Sequence, residues 1–383
     1  MIIHCHYSTN PISGEMKRII NINNDVAGVL SSSIIEVEFF SIRQWKYVKK
    51  SGQFTLSDRI VKKLYVPIIP SLRYINDLYQ LLIMSLLMLW YSPSYIISEW
   101  YYPMGVKFFK KIFNKTRFVL DIHGALPEEY LYLHDTRSPW LERVESNSML
   151  SADTIICQSN EMKRHIGKKY CLDSNVVVYR CGVDTKVFHR NENSRRSIRE
   201  KLGYCDEDIV FVYSGGMHKW QKVDDMLVIF SQCLRYNRKS KLLVLTKEED
   251  AFRNKLLKLS NNDEVNAACQ VHSLSYNQVC DYLNAADVAF LLRDNDIMNA
   301  VASPTKLSEY LACGLPVIST KVSKSWLEEQ GLKYIFNADE ESIEHISSFV
   351  NGISSDAIVD YAINHLSLEI DRANVKRYFI QNS

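Results

Sequence analysis

The chain has 383 residues, 46% apolar and 23% charged side chains, and a formal net charge of +2. That length exceeds one comfortable hydrophobic core, so two domains are expected, and the ordinary composition excludes disordered and collagen-like classes. No basic stripe interleaved with aromatics appears in a recognisable module, which argues against a nucleic-acid binder.

Met1 to His6 lacks a basic, apolar leader pattern and reads as a first strand rather than a signal peptide. Asn10-Pro-Ile-Ser-Gly-Glu-Met-Lys17 is the loop after it. Ser13-Gly14 either meets a bound ligand or simply turns the chain. Between Met1 and Tyr130 there are fifteen Lys/Arg against ten Asp/Glu, with the basic residues crowded between Arg43 and Arg117. Such a stretch suits an anionic membrane surface or a solvated face. The apolar run from Leu81 to Tyr91 is about half of the ~20 residues that span a bilayer. It reads as a buried helix, with an interfacial helix as the alternative. Met104-Gly-Val-Lys-Phe-Phe-Lys-Lys-Ile-Phe-Asn-Lys115 is a short basic amphipathic helix. Either it lies among headgroups, or Phe108, Phe109 and Ile112 pack inward.

Short apolar runs at 34–40, 95–98, 118–121, 154–158 and 176–179 alternate with helical-period segments. A second set follows at 209–214, 241–245, 268–272, 288–292, 316–319 and 333–336. Apolar strands alternating with helices indicate parallel sheets covered on both faces. The polar segment 190–201 or the residues just before it is the linker. Two doubly wound Rossmann-like α/β domains in tandem are therefore expected. Ligands of such sheets bind at the carboxyl ends of strands, and with two domains the cleft between them is the default site. Nine scattered cysteines, with no C-x-x-C and no zinc spacing, read as reduced thiols of a cytoplasmic protein.

Five segments carry candidate chemistry. In Phe118-Val-Leu-Asp-Ile-His-Gly-Ala-Leu-Pro-Glu-Glu129, His123 follows a strand and precedes a glycine, at the carboxyl edge of the first sheet. In Tyr179-Arg-Cys-Gly-Val-Asp-Thr-Lys-Val-Phe188, Gly182 and Asp184 suit a tight turn. In the strand-to-helix connection at 211–226, Gly215 and Gly216 permit close backbone approach to a ligand, flanked by Lys219 and Lys222 as phosphate partners. In Asn299-Ala-Val-Ala-Ser-Pro-Thr-Lys-Leu-Ser-Glu-Tyr-Leu-Ala-Cys-Gly-Leu-Pro-Val-Ile318, Ser303 is placed as N-cap and Pro304 as the first helical residue. Lys306 stands in the first turn, where a cation opposes the helix dipole and a bound anion would resolve the conflict. Glu309, one turn on, either accepts from ribose hydroxyls or is solvated. The loop at Gly14 is the fifth.

Taken together in this order, the glycine loop, D-x-H-G-x-x-P-E-E, G-V-D-x-x-x-F, the strand-G-G loop with its following lysine, and P-x-K-x-x-E-Y-x-A-x-G-x-P-V-I resemble the family 4 retaining glycosyltransferases of GT-B fold, of the bacterial surface-polysaccharide type. The resemblance implies two domains facing a central cleft: 1–190 on the acceptor side, 191–365 holding the nucleotide sugar, and 366–383 a helix crossing back. It implies that Glu309 binds the ribose, Lys222 meets the donor diphosphate and His123 faces the transferring sugar, these three being the catalytic set. Gly14, Arg180, Gly215, Gly216, Lys219, Asn299, Ser303, Pro304, Thr305 and Lys306 complete donor binding. No metal and no cofactor is implied; the donor is a nucleoside-diphosphate sugar and the acceptor a saccharide, lipid-linked, with a peripheral membrane position. The chain departs from the pattern at Val301, where many members have the first glutamate of E-x7-E, so that Asn299, Asp294 or backbone N–H groups serve instead. Gly216 stands where an arginine is frequent, and Cys181 where asparagine precedes G-V-D. The alternatives are an epimerase of GT-B fold acting on UDP-N-acetylglucosamine and a non-catalytic nucleotide-sugar-binding homologue. Comparing products with and without an acceptor separates them.

Overall fold

A computed structural model gives the architecture and describes residues 1–7, 14–41, 44–45, 48, 59–69, 72–99, 101–103, 105–172, 175–259, 261–320 and 334–382. The chain divides into two compact units. One is Met1–Cys181 with Val301–Ser303 and Asp371–Ser383; the other is Gly182–Ala300 with Pro304–Ile370.

The first unit is built on seven strands: β1 (Ile2–Tyr7), β2 (Ile34–Phe40), β3 (Ile60–Pro67), β4 (Tyr95–Ser98), β5 (Arg117–Asp121), β6 (Thr154–Cys157) and β7 (Val176–Val178). They run in the order β3-β2-β1-β4-β5-β6-β7, with parallel pairing throughout. The order reverses between β1 and β4, so the carboxyl ends of these strands form the switch point at which such sheets open a crevice. On one face the helix Gly14–Val29 buries Ile22, Val26 and Ala27 against Ile2, Ile34, Ile97 and Val119. The helix Leu368–Asn382 adds Val375 and Phe379 to this cluster. It is further tied down by Asp371 on Arg180 (3.1 Å) and by Arg372 on Asp25 (3.1 Å).

Strand β3 has no counterpart in the sequence reading, because Lys62 and Lys63 interrupt its apolar pattern. Its place at the sheet edge explains the tolerance for charge. Lys63 reaches back to Glu38 (3.1 Å) and Glu36 (3.4 Å) on β2. The helix Arg73–Tyr91 corrects a second expectation. It is not a buried helix: Met84, Leu87 and Met88 pack into the core, while Leu78 and Leu89 are 71% and 69% exposed and Trp90 is 83% exposed. On the following helix, Val106–Ile112, Phe109 is buried but Phe108 and Ile112 face outward.

The second unit has six parallel strands: β8 (Ile209–Ser214), β9 (Ser240–Leu245), β10 (Cys269–His272), β11 (Val288–Leu291), β12 (Val317–Ser319) and β13 (Ile335–Asn337). Their order is β10-β9-β8-β11-β12-β13, with the switch between β8 and β11. Lys333, placed in the last of these strands from sequence, lies outside the described residues. The segment 190–201 is not a linker but most of a helix, Glu192–Leu202. Asn191 caps it, accepting from the N–H groups of Asn193 and Ser194. Its charges are spent on docking: Arg195 and Arg199, one turn apart, both bind Asp287 (2.6 and 3.2 Å).

Candidate active site

In the second unit the carboxyl ends of β8 and β11 converge with the start of the helix Thr305–Ala312. Strand β8 ends at Ser214, whose N–H donates to the Tyr310 hydroxyl (2.9 Å). The next N–H, of Gly215, donates to the Leu245 carbonyl (2.9 Å), and that of Met217 to Glu248 (3.0 Å). The loop is thus pinned from three sides. Gly215 adopts φ +154°, and a Cβ built there would stand 1.8 Å from Lys306 Nζ. A Cβ on Gly216 would lie 3.1 Å from Glu248 Oε1. Glycine at 215 is what lets the Lys306 ammonium lie against the backbone.

Lys306 Nζ sits 3.2 Å from Gln221 Oε1 and 5.1 Å from the centroid of the Tyr213 ring. Arg293, just past the end of β11, donates to the same Gln221 oxygen (2.9 Å) and to the Leu292 carbonyl (2.8 Å). Among the described residues neither cation has a carboxylate within ion-pair distance. Two positive groups therefore share one uncharged amide oxygen in a recessed place. Burial, with Arg293 adding to it, pushes the Lys306 ammonium down to about 7. Burial lowers Arg293 as well. An arrangement of this kind is electrostatically incomplete without an anion.

Lys222 is different. It takes a left-handed backbone (φ 50°) at the N-terminus of the helix Val223–Tyr236, and its ammonium is neutralised by Asp225 (2.9 Å) and Asp294 (3.7 Å). The hydrogen bond to Asp225 holds its pKa up. Lys219 opens the single 3-10 turn Lys219–Gln221 that delivers Gln221 to the two cations. Asn299 is buried in the turn Ile297–Ala300 and spends its side chain on Asp296 (2.7 Å). Glu309 lies half-buried one turn beyond Thr305, close enough to Tyr276 to raise that phenol's pKa, burial being the larger cause.

The helix start differs by one residue from expectation. Pro304 is extended (φ −72°, ψ 109°) and is the capping residue, Thr305 is the first helical residue, and no side chain among the described residues caps the helix. Ser303 is not the N-cap; its hydroxyl accepts from the Cys181 N–H (3.2 Å). The orphan N–H groups of the first turn are left for water or a ligand.

In the first unit, His123 lies just beyond β5. Its Nε2 is 2.9 Å from Asp121 Oδ2, and Asp121 Oδ1 receives Arg18 Nη2 at 2.7 Å. Arg18 also donates to the Tyr179 carbonyl. Burial alone would raise the Asp121 pKa, but Arg18 and His123 hold it low. The carboxylate thereby fixes the imidazole. Gly14 is the first residue of its helix, and the loop before it, 8–13, lies outside the described residues. Arg180 is engaged by Asp371. Val301 is core, and its carbonyl accepts from Ser159 Oγ (2.6 Å) and Gln158 Nε2 (3.2 Å).

The structure thus gathers Gly215, Gly216, Lys219, Lys306 and the 305–312 helix start into one place. The sequence reading missed Arg293, Gln221, Tyr213 and Glu248, and in the first unit Arg18 and Asp121. A usable signal existed for Arg293: a single cation directly after a fully apolar strand, Val288-Ala-Phe-Leu-Leu-Arg293. Gly215→Ala tests the close approach. The new methyl group displaces Lys306, so nucleotide affinity is expected to fall about tenfold or more while the melting temperature drops a few degrees. Binding calorimetry alongside a thermal melt checks both.

Residues 27–187 match the model of Glycosyltransferase Family 4, and residues 194–365 that of Glycosyl transferases group 1. The chain belongs to this family of glycosyltransferases. No curated protein matches it in sequence. Solved structures resemble the transferase over its whole length at low identity. HepE of Anabaena, in complex with UDP and glucose, is 13% identical, with a TM-score of 0.69 over 100% of both chains. WaaG, a glycosyltransferase involved in lipopolysaccharide biosynthesis, is 15% identical, with a TM-score of 0.65 over 99% of this chain and 95% of its own. Sucrose-phosphate synthase from Thermosynechococcus elongatus is 11% identical, with a TM-score of 0.70 over 100% and 99%. At these identities the likeness speaks for the fold, which is GT-B.

Proposed function

We propose that the transferase moves a sugar, with retention of anomeric configuration and without a metal, from a nucleoside-diphosphate sugar to a hydroxyl of a lipid-linked saccharide. The setting is assembly of a bacterial surface polysaccharide such as O-antigen or capsule, at the cytoplasmic face of a membrane. The observation that carries this reading is the pair Lys306 and Arg293, uncompensated by carboxylate among the described residues, beside the open N–H groups of the 305–312 helix. A diphosphate completes that charge. Two fixed cations supply the neutralisation that a divalent ion would otherwise bring. The UDP complex of HepE and the lipopolysaccharide role of WaaG favour the donor class and the pathway.

In the reaction the bond from the anomeric carbon to the β-phosphate oxygen breaks, and its electron pair leaves with the diphosphate. The acceptor oxygen bonds the anomeric carbon on the same face, and its proton passes to the departing phosphate oxygen. Lys306 and Arg293 stabilise the charge developing on the leaving group, and Lys222 joins them by exchanging Asp225 for phosphate. Glu309 accepts from the ribose hydroxyls. His123, oriented by Asp121, holds the transferring sugar.

Incubation with UDP- and GDP-sugars in EDTA tests the reading. Release of free nucleoside diphosphate, with the sugar emerging in its original anomeric configuration, is expected. Conversion of UDP-N-acetylglucosamine to its epimer without nucleotide release would instead identify an epimerase. Glu309→Gln is expected to raise the donor KM at least tenfold through the ribose contact, with a smaller effect on kcat. Unchanged steady-state kinetics would remove Glu309 from donor binding.

A further inference from the structure

The helix Arg73–Tyr91 is apolar on two sides. One stripe, Gln80, Met84, Leu87 and Met88, is buried on the sheet of the first unit. The opposite stripe, Ile75, Leu78, Leu82, Leu86, Leu89 and Trp90, recurs at three- and four-residue spacing and is more than half exposed at every position. Its single carboxylate, Asp77, is half-buried, and that burial pushes its pKa up to about 6. Nineteen residues make a ridge about 28 Å long. An exposed apolar ridge of this length on a soluble surface marks an interaction site.

The helix Val106–Ile112 packs beside the Arg73–Tyr91 helix, against the partly buried flank of that helix at Leu81. A Cβ on Gly105, at its N-terminus, would lie 3.3 Å from Leu81 Cδ1. Its outward residues alternate apolar and basic: Lys107, Phe108, Lys111 and Ile112, with Lys115 just beyond. Among the described residues these three lysines have no carboxylate partner. At the far end of the ridge Lys62 donates to the Tyr91 hydroxyl (3.1 Å) and lies over its ring. Leucine along the middle, with Trp, Tyr and Lys at the margins, is the distribution of side chains that sit in a headgroup layer.

We infer that the outer faces of these two helices dock on an anionic phospholipid surface, the ridge entering the acyl boundary and Lys107, Lys111 and Lys115 meeting lipid phosphate. No helix among the described residues is long and apolar enough to cross a membrane, so the contact is parallel to the surface. A second copy of the chain fits poorly, because a two-fold contact sets the unpaired lysines against one another. The docking face gives the lipid-linked acceptor of the preceding reading a way to reach the first unit. It stands on exposure and charge rather than on the transfer chemistry.

The test is co-sedimentation of the full chain with vesicles of phosphatidylglycerol and phosphatidylethanolamine (about 1:3) and with phosphatidylcholine vesicles at low salt. The wild type is expected to partition to the anionic vesicles at least tenfold more strongly. Each lysine near the surface is worth about fivefold, so Lys107→Glu/Lys111→Glu/Lys115→Glu, which also introduces repulsion, should lose at least about 100-fold in partitioning. Leu82→Glu/Leu86→Glu should lose at least tenfold. All are surface changes, so melting temperature and nucleotide binding serve as fold controls and should be unchanged. Wild type that ignores anionic vesicles, or binding that both variants retain, overturns the inference while leaving the nucleotide response to judge the transferase reading. A dimer in light scattering that Leu82→Glu/Leu86→Glu dissolves, without vesicle binding, makes a second copy the occupant and also overturns it. Vesicle binding without any nucleotide response supports the docking face and counts against the transferase reading alone.

Discussion

Lys306→Met yields a protein that melts higher than the parent in the absence of ligand and no longer responds to nucleoside diphosphates. In the free protein this ammonium is buried beside Arg293, against an amide oxygen and the Tyr213 ring and, among the described residues, with no carboxylate at ion-pair distance, and its pKa is depressed to about 7. The unfolded chain holds that proton up to about pH 10.4. The folded state therefore bears the full cost of the buried charge below pH 7, and the cost is relieved as pH rises from about 7 toward 10. Methionine fills the space without the charge, so the gain is greatest at or below neutral pH and shrinks at pH 9. A rise of about 3 °C or more near neutral pH is expected, since 1 kcal/mol moves the midpoint of a domain this size by about 2–4 °C. Transfer should fall about 10²- to 10³-fold, the usual effect of removing one preorganised charge from a developing anion. In the parent, a bound diphosphate recharges Lys306, so binding takes up a proton at alkaline pH. Nucleotide affinity should weaken about 25-fold between pH 7.5 and 9, following the charged fraction of Lys306 in the free protein. Calorimetry in buffers of different ionisation enthalpy measures the proton directly. A variant that melts lower and still binds nucleotide would show that Lys306 is a structural cation.

Asp121→Asn is expected to have the largest destabilising effect in the first unit. Asp121 is wholly buried between Arg18 and His123, and its substitution leaves the buried Arg18 guanidinium without its counter-charge. Breaking one side of a buried pair costs about 3–5 kcal/mol, a drop on the order of 10 °C. Because its folded pKa is low, Asp121 contributes stability above the unfolded value of about 3.9. That contribution is lost only as pH falls through the folded value, so the neutral range is unaffected. His123→Ala separates fold from function. The ring is only 16% exposed, but Arg18 still pairs with Asp121 in this variant, so the stability loss should be smaller than for Asp121→Asn, whereas kcat/KM should fall about 10²-fold through lost orientation of the sugar. Arg18→Met/Asp121→Asn should recover part of the stability and none of the activity. Full activity in His123→Ala would remove the histidine from sugar positioning.

What could be read from the sequence, and what could not, follows from where the information resides. The strands of both sheets were legible because apolar runs buried on two faces have no other use, and β3 was not, because Lys62 and Lys63 are balanced by Glu36 and Glu38 on a neighbouring strand. Lys306 was legible because a cation in the first turn of a helix conflicts with the dipole. Its partner Arg293 and the amide between them come from different elements, and only the fold brings them together. Lys222 and Arg180 look like free cations along the chain, yet Asp225 and Asp371 engage them. The Arg73–Tyr91 helix misled for a plainer reason. A sequence records that a side chain is apolar, not which of two apolar faces the core receives.

The most direct measurement is a thermal melt of wild type and Lys306→Met with UDP, GDP, ADP and CMP in EDTA. A ligand at about 100 times its Kd stabilises by roughly 2.7 kcal/mol. One nucleoside diphosphate should raise the wild-type midpoint by several degrees without metal and leave Lys306→Met where it was. No response from the wild type to any of the four, or an equal response from the variant, would contradict a diphosphate site built on Lys306 and Arg293.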